Sequence, residues 1–200
     1  CTQRAIQTLL ERNVKALVLA CNTATAAAAK ELRAKLDIPV IGMEPALKPA
    51  HFLRHGGQIL VLATPATLHM EKFRHLMEQY GEGAVPVEGY GLVECIESGH
   101  VAPDDPQLLS VLHKLLDPHL DVKTDAVVLG CTHYVFAREA LRRIVPGAAL
   151  VDGNEGTVRQ LTRRLGENGA LEAEGEGGYE LHTSGGESIY LPLMEKLMSL

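Results

Sequence analysis

The stretch KALVLACNTATAAAAK, Lys15 to Lys30, holds an apolar run that stops at Cys21, two small polar residues, and an alanine-rich tract. Ala16 to Ala20 has the length and composition of a buried strand, and Ala24 to Leu36 has strong helix propensity. The same layout returns 110 positions later as DAVVLGCTHYVFARE, Asp125 to Glu139. Ala16, Val18, Leu19 and Cys21 recur as Ala126, Val128, Leu129 and Cys131, four identities in six positions. In both copies the thiol falls at the expected carboxyl end of a strand.

Working outward from this repeat, apolar runs alternate with helical patterns along the chain. Thr2 to Glu11 reads as a helix with Ile6, Leu9 and Leu10 on one face. PVIGME from Pro39, QILVLA at Gln58 to Ala63, Val85 to Val87, Ala126 to Gly130 and AALVD before Gly153 read as strands. Between them, Pro65 to Tyr80, Leu92 to Glu97, Pro106 to Leu116, Phe136 to Ile144 and Glu155 to Leu165 read as helices, the last with Asn154 as its cap. Gly166 to Gly178 is a surface connection, YELHTSG a final edge strand, and Ile189 to Met198 a closing helix. Alternation of this kind, with strands apolar throughout, predicts an α/β fold of parallel sheets covered on both faces.

The 200 residues are 46% apolar and 22% charged, an ordinary globular composition with room for one large domain or two small ones. A net charge of −6 and scattered basic residues argue against nucleic acid as a partner. No apolar run approaches the roughly 18 residues of a membrane span. Cys1, Cys21, Cys95 and Cys131 show no CxxC spacing, so reduced thiols in a cytoplasmic compartment are expected rather than a disulfide scaffold. The chain opens on Cys1 inside a helical pattern with no start signal, which predicts that an N-terminal portion of the parent protein precedes it.

A residue beyond the carboxyl end of a parallel strand faces the region where α/β proteins bind ligands. It also opens the next helix, where free N–H groups and the helix dipole favour negative charge. A thiol there is expected to titrate below its usual value of about 8.5. Asn22, Thr23 and Thr132 add side-chain donors suited to a carboxylate. Two such thiols allow a two-base reaction, in which one removes a proton from an sp³ carbon and the other returns a proton to the opposite face. Three other readings compete. Either cysteine alone could be a small buried hydrophobe. Cys21, Cys131 and His133 could hold a metal, although a fourth ligand is missing. A cysteine phosphatase needs an arginine closing the anion loop; Arg138 is seven residues past Cys131, and Cys21 has none nearby. Cys95 reads as a packing residue.

ACNTAT at Ala20 to Thr25 and LGCTHY at Leu129 to Tyr134 resemble the two active-site signatures of the cofactor-independent glutamate racemases, within the aspartate/glutamate racemase superfamily. IGMEPALKPA at Ile41 to Ala50, VLATPAT at Val61 to Thr67 and GLVECIESG at Gly91 to Gly99 are similar to further family segments, in family order. The resemblance implies two pseudo-symmetric α/β domains facing each other across the site. Residues 1–47 with 151–200 would form the first domain, lacking its N-terminal part, and 48–150 the second. It implies Cys21 and Cys131 as the acid/base pair, with Cys21 acting on the D form and Cys131 on the L form. His133 would assist Cys131, with Glu97 behind it. Asn22, Thr23, Thr64, Thr67 and Thr132 would hold the substrate. It further implies L-glutamate/D-glutamate interconversion supplying peptidoglycan synthesis, no cofactor, no metal and a homodimer. Alternatives are an aspartate or hydantoin racemase of the same superfamily, or an inactive remnant that only binds. The family's Asp-Ser-Gly and Tyr-Gly motifs do not occur before Cys21, so a polypeptide confined to these residues would be expected to have little activity. Gly89-Tyr90 stands where the family often has Cys-Pro.

Overall fold

The computed structural model describes residues 2–172 and 174–200. The helical reading of Cys1, and Ala173 within the expected surface connection, lie outside the described residues. The chain runs through α1 (Thr2–Leu10), β1 (Leu17–Leu19), α2 (Asn22–Lys35), β2 (Val40–Gly42), α3 (Leu47–Phe52) and β3 (Gln58–Ala63). It continues through α4 (Pro65–Leu68), α5 (Glu71–Tyr80), β4 (Ala84–Glu88), α6 (Leu92–Glu97), α7 (Pro106–Leu116) and β5 (Thr124–Leu129). A 3-10 turn, Thr132–Ala137, leads into α8 (Arg138–Ile144), β6 (Ala149–Val151), α9 (Asn154–Glu167) and α10 (Glu187–Met198).

Among the described residues the strands form two sheets, both wholly parallel. The first pairs β1 with β2, Leu17 opposite Val40 and Leu19 opposite Gly42. The second has the order β4-β3-β5-β6. All six residues of β3 are buried, as the continuous run QILVLA requires of a strand covered on both faces. The period of two divides the core. Leu60 and Leu62 of β3, with Val127 and Leu129 of β5, pack under α6, α7 and α8. Ile59, Val61, Ala126 and Val128 pack on the other face with Leu47, Ala50 and Phe73. Each Leu, Ile, Val or Phe among them that is fully removed from water contributes about 1.5–3 kcal/mol before conformational entropy is counted.

In the first sheet Ile6, Leu17, Leu19, Ala29 and Val40 form a separate cluster. Here the alanine-rich tract has a use. A Cβ on Gly42 would lie 2.3 Å from Thr25 Cγ2, so α2 lies very close over β2. The buried Thr25 hydroxyl donates to Leu19 O at 3.0 Å and accepts from Met43 N at 3.0 Å, tying the ends of both strands to α2. Among the described residues no helix is long and apolar enough to cross a membrane.

Four local expectations are corrected. Pro65 to Tyr80 is two helices, not one: Met70 is extended at φ −76°, ψ 143° and caps the second. A straight helix would turn Thr67 and Phe73 about 120° apart; the break lets Thr67 reach Thr23 while Phe73 enters the core. Arg138, not Phe136, begins the α-helix after the second thiol, because the preceding residues wind as a 3-10 turn. Asn154 is the first residue of α9 rather than its cap; Asp152 Oδ1 accepts from Asn154 N at 2.7 Å instead. YELHTSG forms no strand, since no strand of either sheet pairs with it.

Candidate active site

The two thiols sit in the same local geometry. Cys21 lies two residues past β1 and caps α2 at φ −146°, ψ 127°. Cys131 lies two residues past β5 and caps the 3-10 turn at φ −139°, ψ 142°. The repeat is therefore a repeat of conformation: an apolar strand, an extended cysteine and a helical turn. Neither cysteine makes a side-chain cap bond of full hydrogen-bond geometry. Cys21 is exposed and Cys131 half-buried. They are close enough for a charge on Cys21 to disfavour ionisation of Cys131.

The expectation of lowered thiols is not met at Cys131. Burial pushes its pKa up most strongly. The His133 backbone N–H works against this, the Cys21 charge adds to it, and the Thr132 side chain and backbone oppose it again. In this environment the Cys131 group favours the neutral thiol, the form that donates a proton.

His133 stands beside Cys131, its Nδ1 3.8 Å from Sγ. Its Nε2 is 2.9 Å from Glu97 Oε1, on the last residue of α6. With Nε2–H donating to the carboxylate, Nδ1 of the neutral ring faces the thiol as an acceptor. The line Cys131–His133–Glu97 joins residues 36 positions apart along the chain.

Asn22 bridges the sheets. Its Nδ2 donates to Gly130 O at 2.6 Å, so the residue after the first thiol holds the residue before the second. Its Oδ1 is buried without a hydrogen-bond partner. A second bridge is made of hydroxyls: Thr23 Oγ1 lies 3.2 Å from Thr67 Oγ1, which lies 3.0 Å from Thr64 Oγ1. Thr64 caps α4, accepting from Thr67 N at 3.3 Å. The expected site residues thus fall into two groups at the junction of the sheets: Thr23, Thr67 and Thr64 are joined through their hydroxyls, and Cys131, His133 and Glu97 form a line that Asn22 approaches through Gly130, with Thr132 beside it.

Several neighbours of the site escaped the sequence reading. Asn22, Met43, Glu44, Thr132, Asp152 and Asn154 come together beside Cys131. Asp152 is paired with Arg138 in addition to its bond to Asn154. The only sequence signal for this corner was VDGNEG, which reads equally well as a helix start. Tyr134, fully buried next to His133, was also passed over. Among the described residues no group of three or more His, Cys, Asp or Glu side chains is arranged to hold a metal ion.

The Asp/Glu/Hydantoin racemase family model matches residues 2–161. A glutamate racemase from Clostridium perfringens is 43% identical over 201 residues, covering 98% of this chain and 76% of that protein. One from Bifidobacterium adolescentis is 44% identical over 200 residues, covering 96% and 77%. Among solved structures, Escherichia coli glutamate racemase in complex with L-glutamate and the activator UDP-MurNAc-Ala superposes with a TM-score of 0.80 at 29% identity, over 96% of this chain and 75% of that one. Glutamate racemase RacE1 of Bacillus anthracis gives 0.81 at 25% identity, over 100% and 77%. Two parallel sheets that meet at a repeated cysteine turn, and these likenesses along nearly the whole chain, lead to one conclusion: the chain belongs to the Asp/Glu/Hydantoin racemase family.

Proposed function

We propose that this protein interconverts L- and D-glutamate by proton transfer between two thiols. The observation that carries the reading is the pair of cysteines: each caps a helical turn beyond a parallel strand, in different sheets, and Cys21 lies near enough for its charge to act on Cys131. The substrate's α-carbon would lie between them. One thiolate takes the α-proton, forming S–H as the C–H bond breaks. The opposite S–H gives its proton to the other face of the carbon and becomes the thiolate. The enzyme ends with the two protonation states exchanged, ready for the reverse direction. The neutral thiol favoured at Cys131 is the donor state for one direction, and His133, held by Glu97, is placed to return a proton to the Cys131 thiolate, or take one from the thiol, between turnovers.

Asn22, Thr23, Thr64, Thr67 and Thr132 would bind the substrate. The unpartnered Asn22 Oδ1 supports an ammonium contact, because a buried acceptor without a donor is unfavourable by about 1–3 kcal/mol until one arrives. The glutamate-racemase relatives favour glutamate over aspartate as the substrate. The D-glutamate would feed peptidoglycan synthesis.

Division into residues 1–47 with 151–200, and 48–150, is part of this reading; the separate cores of the two sheets support it. So are a homodimer and a cytoplasmic location. Exposed Val158, Ile189 and Met198 on α9 and α10 support the first, and the free thiols of Cys21, Cys95 and Cys131 the second.

The test is incubation with L-glutamate in heavy water. D-glutamate carrying one α-deuterium is expected, and its formation should cease in the Cys21→Ser, Cys131→Ser double variant. Undiminished racemisation by that variant would sink the two-thiol reading. Preference in kcat/KM for aspartate would transfer the protein to the alternative substrate.

A further inference from the structure

Helix α6 is fastened to the cysteine turn at both ends. At its far end Glu97 meets His133 at 2.9 Å. At its near end the Tyr134 hydroxyl donates to Gly89 O at 3.1 Å, inside the protein. Gly89 in turn donates its N–H to Ala63 O at 2.8 Å, anchoring the contact to the end of β3. The two fastenings start from adjacent residues of one turn, His133 and Tyr134, and enclose the whole of α6 between them.

The fit at the near end leaves no spare room. Tyr134 is fully buried. A Cβ on residue 89 would fall 2.1 Å from Tyr134 Oη and 2.7 Å from Cζ, so the contact exists only because that position has no side chain. The phenol is a donor and nothing else here. Burial, then the charges of Cys131 and Glu94, push its pKa far above the ordinary range, which keeps the hydroxyl protonated.

We infer that Tyr134 and Gly89 form a matched pair that positions α6, so that Glu97 holds His133 against Cys131; Tyr134 is a positioning residue for the second thiol. The inference rests on the proposed role of Cys131 and extends it. It assigns a function to the glycine that departs from the family's frequent Cys-Pro. The charged and titratable groups around Cys131 are Cys21 from the start of α2, His133 and Tyr134 on its own turn, Glu97 of α6 through His133, Glu94 of α6 beside Tyr134, and Glu44 and Asp152 beside the thiol, the latter paired with Arg138. Of these, Glu94, Glu97 and His133 are held by the Tyr134 contact while Cys21 is not, so its loss has a signature selective for Cys131.

The experiment uses the intact protein and its Tyr134→Phe variant, which keeps the ring in the core and removes only the hydroxyl. The rate of alkylation by iodoacetamide is followed against pH at each cysteine by mass spectrometry. The midpoint at Cys131 is expected to move upward in Tyr134→Phe while that at Cys21 stays in place, and kcat to fall about fivefold with KM within about twofold. Gly89→Ala presses on the same contact from the backbone and should move Cys131 in the same direction. If Tyr134 acts through Glu97, the Tyr134→Phe, Glu97→Gln double variant matches Glu97→Gln alone. An unmoved Cys131 profile in Tyr134→Phe, equal shifts at both thiols, or fully additive effects of the two substitutions would overturn the inference. Because alkylation is read without turnover, a protein that failed to racemise glutamate would defeat the proposed function while the thiol profiles still decided the role of Tyr134.

Discussion

Replacing Asn22 by Ala separates positioning from stability, because the structure predicts very different sizes for the two effects. The substitution removes a 2.6 Å bond from Nδ2 to Gly130 O, worth about 1 kcal/mol net. It exposes a carbonyl to the loss of its donor, unfavourable by a further 1–2 kcal/mol or so if water cannot reach it. Against this, it deletes a buried Oδ1 that has no partner, which returns about 1–2 kcal/mol. The net destabilisation is therefore about 1 kcal/mol, or about 2–4 °C in Tm for a chain of this size. Catalysis has no such offset. The bond links the residue beside Cys21 to the residue beside Cys131, and a shift of about 1 Å between reacting groups costs about 100-fold in rate. Polarimetric or circular-dichroism assay of D-glutamate formation, beside a thermal melt, should give kcat/KM down about 100-fold with Tm nearly unchanged. Asn22→Asp should be worse, since it sets a carboxylate oxygen against the Gly130 carbonyl. Retention of kcat/KM within about twofold in Asn22→Ala would refute the reasoning. So would a melting temperature that drops below the assay temperature, because the loss would then be one of fold.

Three further outcomes follow from the fold. Thr25→Val keeps the volume but strands Leu19 O and Met43 N, so a loss of about 2 kcal/mol is expected in urea unfolding, with an unchanged m-value. Leu112→Ala, in the centre of α7 with no exposed surface, should lose about 2–5 kcal/mol by the same measurement. Asp125 is held at about 2 by Lys123 and by the backbone N–H groups of His55 and Gly57, below its ordinary 3.8. Its native carboxyl is the more acidic form, so its stabilising contribution is complete above about pH 4 and disappears as pH falls through 2. Melts from pH 5 to pH 2 should show a steeper acid loss for the parent than for Asp125→Asn, which should already melt several degrees lower at pH 7.

The alternation of strands and helices was legible along most of the chain, because a strand buried on both faces must be apolar at every position. Gln58 to Ala63 and Pro106 to Leu116 have the same bounds in sequence and in structure. The repeat around Cys21 and Cys131 was legible from its own identities, with the thiol marking each strand's end; only β5 of the two strands is buried on both faces, and the expectation of full cover fails at β1, where Val18 is exposed. The failures are where local pattern is silent. YELHTSG alternates like a strand but finds no partner edge, and strand character without a neighbour has no hydrogen bonds to make. Nothing in Thr67 to Glu71 announces the break between α4 and α5; it is imposed by the separate destinations of Thr67 and Phe73.

What the sequence determined by itself is therefore the class of fold, the place of each thiol at the start of a helical turn, and the small donors beside them. These are consequences of spacing within a dozen residues. Tertiary structure alone decided that Glu97 reaches His133, that Asn22 spans 108 positions to Gly130, that Thr23 meets Thr67, and that Gly89 leaves room for the Tyr134 hydroxyl. It also reversed the expected direction of the Cys131 pKa. The helix dipole and free N–H groups that favour a thiolate are local, whereas burial and the approach of a second thiol depend on how distant segments pack, and at Cys131 the packing outweighs the local field.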